Sequence, residues 1–417
     1  MAHNRTIRIT IIFAILFVSF AHVPAHAGET RAGAAWVDIT PVKITGVNLA
    51  GYSPRKSDGL HDPITARCAV IDDGSQQLAL VAFDLIGVMY DDIAKMTADI
   101  SAKTNIPADH IIIHSIHTHS GPDTMGIWGG SPKSYKARVA EGAAECVAKA
   151  AADMNPAGAF FVSGETKGFN INRRDPEKGK TDNTLAVMQF RGKDGKAIAT
   201  VVNFACHPVV LGNDNLKITA DYVYFLRKKL EDDRGGVAIF FSRDIGDMNP
   251  PAINKDVYER KGGTFEMAEK EGVAIAAESE KLLDGASEQP LRIRVAVKQF
   301  DLKVDNKQLL GLAKGGMLKR SVKNDAMKTA VAVVDLGPAQ IATFPGEAFS
   351  GVREKADPLL PGPVKFFFSL TFDCAGYIVP QNEWNASRYE ETVSTGLNTE
   401  PTLIEALSSL SDEMFRK

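Results

Sequence analysis

The stretch ARCAVIDDGSQQLALVAFDLIGV, residues 66–88, reads as two apolar strands folded about Asp73-Gly74. LAVMQFRGKDGKAIATVVNFA, residues 185–205, repeats the pattern about Asp194-Gly195. Asp-Gly between alternating apolar runs is a strong short-range hairpin signal, because the turn needs residues that tolerate positive φ. A third hairpin, AVAVVDLGPAQIATF (330–344), precedes the apolar strand KFFFSLTF. Between these lie stretches of helical period: 91–104, 134–153, 220–232, 263–284 and 401–415. Hairpins interleaved with helices argue against a purely parallel sheet. They predict an α/β (mixed α+β) fold of layered mixed β-sheets flanked by helices. No repeat or low-complexity linker interrupts the chain, so a single compact catalytic domain over residues 28–417 is expected.

Residues 1–27 are set apart. Arg5 and Arg8 precede the apolar run ITIIFAILFVSFAHV, and Ala25-His26-Ala27 follows it. This is the layout of a cleavable secretory signal peptide, and it predicts export to the periplasm or the medium. No later run has the length of a membrane span. Loss of the two arginines takes the formal charge from −3 to −5. A mildly acidic chain without basic runs has no electrostatic footprint for nucleic acid. Cys68, Cys146, Cys206 and Cys374 are widely spaced. They form neither a metal-binding C-x-x-C nor a dense disulfide scaffold, and export permits disulfides without spacing fixing a pairing.

HIIIHSIHTHSGP, residues 110–122, holds four histidines, and after the leader only His61 and His207 remain. If the strand continues through 119, His117 and His119 face one side, ~6.5–7 Å apart. His114 then faces the other side as a hydrogen-bonded core residue, and His110 lies at the surface. His207, in NFACHPVVLG, sits where a strand ends at Pro208. Both clusters fall where strands meet loops, the usual place for a site on a layered fold.

HTHSGP, NFACHPV, IGDMNP, FPGEAF and the spacing of Tyr377 and Tyr389 resemble the neutral/alkaline non-lysosomal ceramidases. These are exported zinc amidases that split ceramide into sphingosine and a fatty acid. The resemblance runs from about residue 34 to 395. It implies Zn²⁺ ligands at His117, His207, Glu347 and Tyr377. His119 would stand beside the metal, and Arg173 (in FNINRR) and Tyr389 (in SRYEE) would be active-site residues. Two imidazoles, a carboxylate and a phenolate suit Zn²⁺ better than Ca²⁺ or Mg²⁺. Zinc-assisted amide hydrolysis is therefore expected, with Arg173 and Tyr389 stabilising the oxyanion and His119 or Asp247 carrying the proton. Asp84 would orient a histidine or cap a helix, and Trp128 in TMGIWGG would line an apolar mouth. The expected partner is a small lipid-like N-acyl amide, with transient contact to a membrane surface.

Two departures from the family pattern matter. Asn249 stands where longer members carry a serine, and an amide cannot act as an acyl-enzyme nucleophile. It remains able to hydrogen-bond substrate or water. The sequence also stops soon after Tyr389, which implies the catalytic domain without the family's immunoglobulin-like one. Both leave open a zinc hydrolase acting on another amide or ester, or a non-catalytic exported binding protein.

Overall fold

The computed structural model describes residues 29–251, 262–316 and 320–416. The leader expected over 1–27 lies outside the described residues. Among these, no helix is long and apolar enough to cross a membrane.

The larger sheet has eight strands: β1 (Arg31–Asp38), β2 (Thr65–Asp72), β3 (Gln77–Phe83), β4 (Ile111–Ser115), β5 (Asn155–Glu165), β6 (Thr184–Gly192), β7 (Ala197–Phe204) and β8 (Val237–Ser242). Their spatial order is β8-β7-β6-β5-β1-β2-β3-β4. Only the two outermost pairs, β3 with β4 and β7 with β8, run parallel. Both expected Asp-Gly hairpins form, as β2–β3 and β6–β7. Asp73 fixes the first turn, its Oδ1 accepting the N–H groups of Ser75 and Gln76.

The smaller sheet orders β9 (Arg294–Lys303), β10 (Ala326–Asp335), β11 (Ala339–Thr343) and β12 (Val364–Phe368), with β11 and β12 parallel. The longer helices are α1 (Tyr90–Thr104), α2 (Lys133–Ala152), α3 (Tyr222–Arg234), α4 (Phe265–Asp284), α5 (Lys307–Lys314), α6 (Ser350–Ala356) and α7 (Thr399–Phe415), and a single turn, Tyr389–Thr392, precedes the last. The mixed α/β expectation holds. No expectation from the sequence covers β1, β5, β9, α5 or α6.

The edges of the large sheet meet. His114 on β4 accepts from the backbone of Ser242 at the end of β8, and Ser242 Oγ donates to Ile116 O. His114 Nδ1 contacts Ser369 O just past β12. One buried imidazole thus joins the ends of three strands, as expected of a core histidine. Burial holds it neutral, with its pKa lowered to about 3. His110, expected at the surface, is buried, with Nδ1 2.8 Å from Gln77 O. A short 3-10 turn folds it back against the start of β3.

Candidate metal centre

Five segments that follow strand ends converge on one place. β4 leads to His117 and His119, β7 to His207, β8 to Asp247 and Asn249, β11 to Glu347, and β12 to Tyr377. All five of these strands belong to parallel pairs, and ligand crevices form at the carboxyl ends of parallel strands.

The strand expected through residue 119 stops at Ser115. His117 then takes a left-handed backbone, φ 72°, a conformation that costs a non-glycine residue ~1–3 kcal/mol. Two bonds offset the cost: its N–H donates to Leu85 O at 2.9 Å, and its Nδ1 lies 2.6 Å from Ile86 O. His117 and His119 do share a site, with ring centroids 5.0 Å apart. Local backbone strain, rather than strand alternation, brings them together. KFFFSLTF likewise ends as a strand at Phe368, because Leu370 and Phe372 are left-handed and turn the chain toward Tyr377.

His207 is anchored in the same manner, its N–H and its Nδ1 each 3.1 Å from Met248 O. With both Nδ1 atoms donating to carbonyls, each Nε2 presents a lone pair. The two Nε2 atoms lie 3.3 Å (His117) and 3.1 Å (His207) from the same Glu347 Oε2. Three acceptors facing one another in a buried place call for a cation between them.

Glu347 and Tyr377 are register partners in a short parallel pair, Glu347–Ala348 with Tyr377–Ile378. Tyr377 OH accepts from Arg173 Nη1 at 3.1 Å. Burial pushes this phenol well above its ordinary pKa, with Arg173 pulling the other way. Arg173 Nε lies 3.0 Å from Glu390 Oε1, and its guanidinium sits over the Tyr377 and Tyr389 rings. Tyr389 is 40% exposed, with its ring 6.1 Å from that of Tyr377.

His119 differs from the other two histidines. Its nitrogens are buried yet have no hydrogen-bond partner, and the Tyr52 ring meets it edge-on at 4.7 Å. Burial, then the neighbouring His117 and His207, lower its pKa well below the ordinary value. One ligand atom from each of His117, His119 and His207 falls within 4.8 Å of the others, a group able to hold a metal ion.

Asp247 faces elsewhere. Its carboxylate accepts from Ser350 N, Ser350 Oγ and Asn172 Nδ2, and burial raises its pKa to about 6. Asn249 is buried and pairs with Ile171 across a short antiparallel ladder, Met248–Asn249 with Ile171–Asn172. That ladder sets the position of Arg173, whose N–H donates to Asp247 O.

Asp84 neither orients a site histidine nor caps a helix. It forms a two-toothed ion pair with Arg227 on α3 and accepts from Thr65. Trp128 is half-buried, and its indole N–H donates to Tyr52 O. Its loop is held by Asp123, whose carboxylate accepts from the backbones of residues 125, 126, 128 and 130. Sequence reasoning missed Glu390, Glu391 and Arg174, where Arg174 bonds both carboxylates. The acidic pair directly after Tyr389 was the available signal.

Residues 31–268, more than half of the chain, match the family described as neutral/alkaline non-lysosomal ceramidase, N-terminal. That span includes His117, His119, Arg173, His207, Asp247 and Asn249; Glu347, Tyr377 and Tyr389 lie beyond it. Neutral ceramidase of Pseudomonas aeruginosa is 26% identical over 259 residues, 55% of this chain and 38% of its own. Neutral ceramidase B of Dictyostelium discoideum is 26% identical over 277 residues, 56% of this chain and 38% of its own. The match thus spans well under half the length of these curated relatives. The crystal structure of neutral ceramidase from Pseudomonas aeruginosa superposes with TM-score 0.76, at 18% identity, over 93% of this chain and 74% of that one. A ceramidase complexed with C2 superposes at 0.77 and 17% identity, over 93% and 75%.

Proposed function

Because the chain belongs to the neutral/alkaline non-lysosomal ceramidase family, we propose that it hydrolyses the N-acyl amide of ceramide or a related N-acyl lipid. His117, His207, Glu347 and Tyr377 would hold a zinc ion for this reaction. The observation that carries the reading is the pair of Nε2 atoms facing one Glu347 oxygen, with both Nδ1 atoms committed to carbonyls. When bound, zinc supplies a water acidic enough to ionise near neutral pH and a Lewis acid for the amide carbonyl.

The chain's own groups do the rest. Arg173, fixed by Glu390 and Tyr377, presents a cation to the oxyanion that develops on the carbonyl oxygen. Tyr389 offers a second donor at the exposed side. His119 is the better candidate for carrying the proton to the leaving amine. A ligand imidazole is normally oriented through its other nitrogen, whereas both nitrogens of His119 are uncommitted. Asp247 is already engaged by Ser350 and Asn172, so its role is to position Arg173. Asn249, an amide, supports the fold beneath Arg173 and supplies no nucleophile.

We take residues 28–417 as one catalytic domain and read 1–27 as an export signal. Asn249 favours one further reading, the same hydrolysis on a different amide. Both are tested by assaying purified protein on ceramides beside N-acyl amino acids, peptides and acyl sugars, with and without a zinc chelator. Chelator-sensitive release of fatty acid from ceramide is expected. Turnover of another class alone would move the substrate, and hydrolysis indifferent to chelation would overturn the zinc role.

A further inference from the structure

We propose that Cys68 and Cys146 join as a disulfide when the chain folds in the presence of a disulfide oxidant. Cys68 lies on β2 and Cys146 on α2, the helix packed over that strand, and both are fully buried. Their sulfurs are 2.8 Å apart, within ~1 Å of the ~2.05 Å of a disulfide bond. Cys146 Sγ also lies 3.2 Å from Ala35 O and 3.4 Å from Ala66 O. The two thiols therefore share one narrow gap between β1 and β2, and a bond would relieve their crowding. The other two cysteines have no such neighbour. Cys206 Sγ contacts His207 O, and Cys374 lies beside Gly87. The pairing that spacing left open thus narrows to one.

The reaction is a double exchange. The Cys68 thiolate attacks a low-molecular-weight disulfide such as oxidised glutathione, releasing one glutathione thiol. The Cys146 thiolate then attacks the mixed disulfide and releases the second. Two electrons pass to the oxidant, and the two protons lost by the cysteines end on the glutathione thiols. Only thiolates attack, and burial keeps Cys68 a thiol in the folded state. The bond therefore forms before α2 closes over the sheet. It would enclose residues 69–145, which contain α1, β3, β4 and both His117 and His119. Closing so long a loop restricts the unfolded chain, so the bridge secures the segment that brings two histidines to the metal centre.

The full chain is unfolded, reduced, and refolded with either a glutathione redox buffer or dithiothreitol. Soluble monomer from each arm is then denatured with iodoacetamide and no reductant, weighed and digested. The expected result is two alkylated cysteines of the four in the glutathione arm, with one peptide joining Cys68 to Cys146, and four in the reduced arm. The oxidised arm should also unfold at higher urea. C206A and C374A should keep the bridge, and C146A should lose it. Reduced native protein should form it far more slowly than refolding chain. The same alkylation on protein taken directly from an oxidising secretory compartment needs no refolding and should give the same count. Four alkylated cysteines in the glutathione and secretory samples, or a bridge between other positions, would overturn the proposal.

Discussion

Gly51 lies so close against His119 that a methyl group on it would stand 2.4 Å from Cγ and Nδ1 of the imidazole. Gly51 also has φ +76°, a backbone that side chains resist. The next residue but three, Arg55, donates to His119 O and to Ala50 O. The segment 50–55 is thus a mould for His119, pressing it toward the centre without bonding its nitrogens. Gly51→Ala should displace the ring and lower kcat ~10-fold to 100-fold, while zinc content stays unchanged. Loss of zinc along with activity would instead make His119 a ligand.

Arg173 is held from two sides, by Tyr377 OH and by Glu390. Arg173→Met should cost ~10²–10³ in kcat, as for other oxyanion donors, with bound zinc retained. Glu390→Gln should cost less, since the guanidinium stays but loses its anchor. Steady-state kinetics with parallel metal analysis checks both, and a full-rate Arg173→Met would remove Arg173 from the chemistry.

The hairpins, the major helices and the mixed character of the fold were legible because apolar period and Asp-Gly turns are local signals. The gathering of His117, His207, Glu347 and Tyr377 was legible only through family resemblance, since their segments meet by long-range packing. What escaped was whatever depends on tertiary geometry. The strand at 111–119 breaks early because Leu85 O and Ile86 O capture His117. Asp84 finds Arg227, 143 residues away, which no local pattern announces. The bonds from Ser350 to the Asp247 carboxylate likewise come from long-range packing and have no local signal.

Asp84 and Arg227 are both nearly inaccessible, and their pair ties α3 to the end of β3. Asp84→Ala leaves a buried guanidinium uncompensated, which costs ~3–5 kcal/mol. Urea unfolding should show a much lower midpoint. A variant as stable as the parent would mean that water or another carboxylate takes the pair's place.

Glu271 on α4 and Asp221 before α3 ionise reluctantly. Burial, then Asp221, raises Glu271 to about 7, with Lys270 opposing. Burial raises Asp221 to about 6, aided by Asp62 and opposed by the N–H groups of Leu211, Tyr222 and Val210. Buried Tyr222 and Cys206 face the same pair. Both folded-state values exceed those of the free acids, so the folded chain binds more protons between about pH 4 and 7. Their contribution to stability is therefore present below about pH 4 and is lost as pH rises through 6 and 7. Melting temperature should fall from pH 5 to pH 8, and Glu271→Gln should flatten that slope. An unchanged slope would show that these carboxyls do not titrate there.

The most direct test is an anomalous-difference map from zinc-loaded crystals, recorded on both sides of the zinc edge. One peak is expected, ~2.0–2.1 Å from Nε2 of His117 and His207 and ~2.0–2.2 Å from a Glu347 oxygen, with the Tyr377 hydroxyl completing the shell. A peak on other residues, or none at full zinc occupancy in solution, would contradict the account.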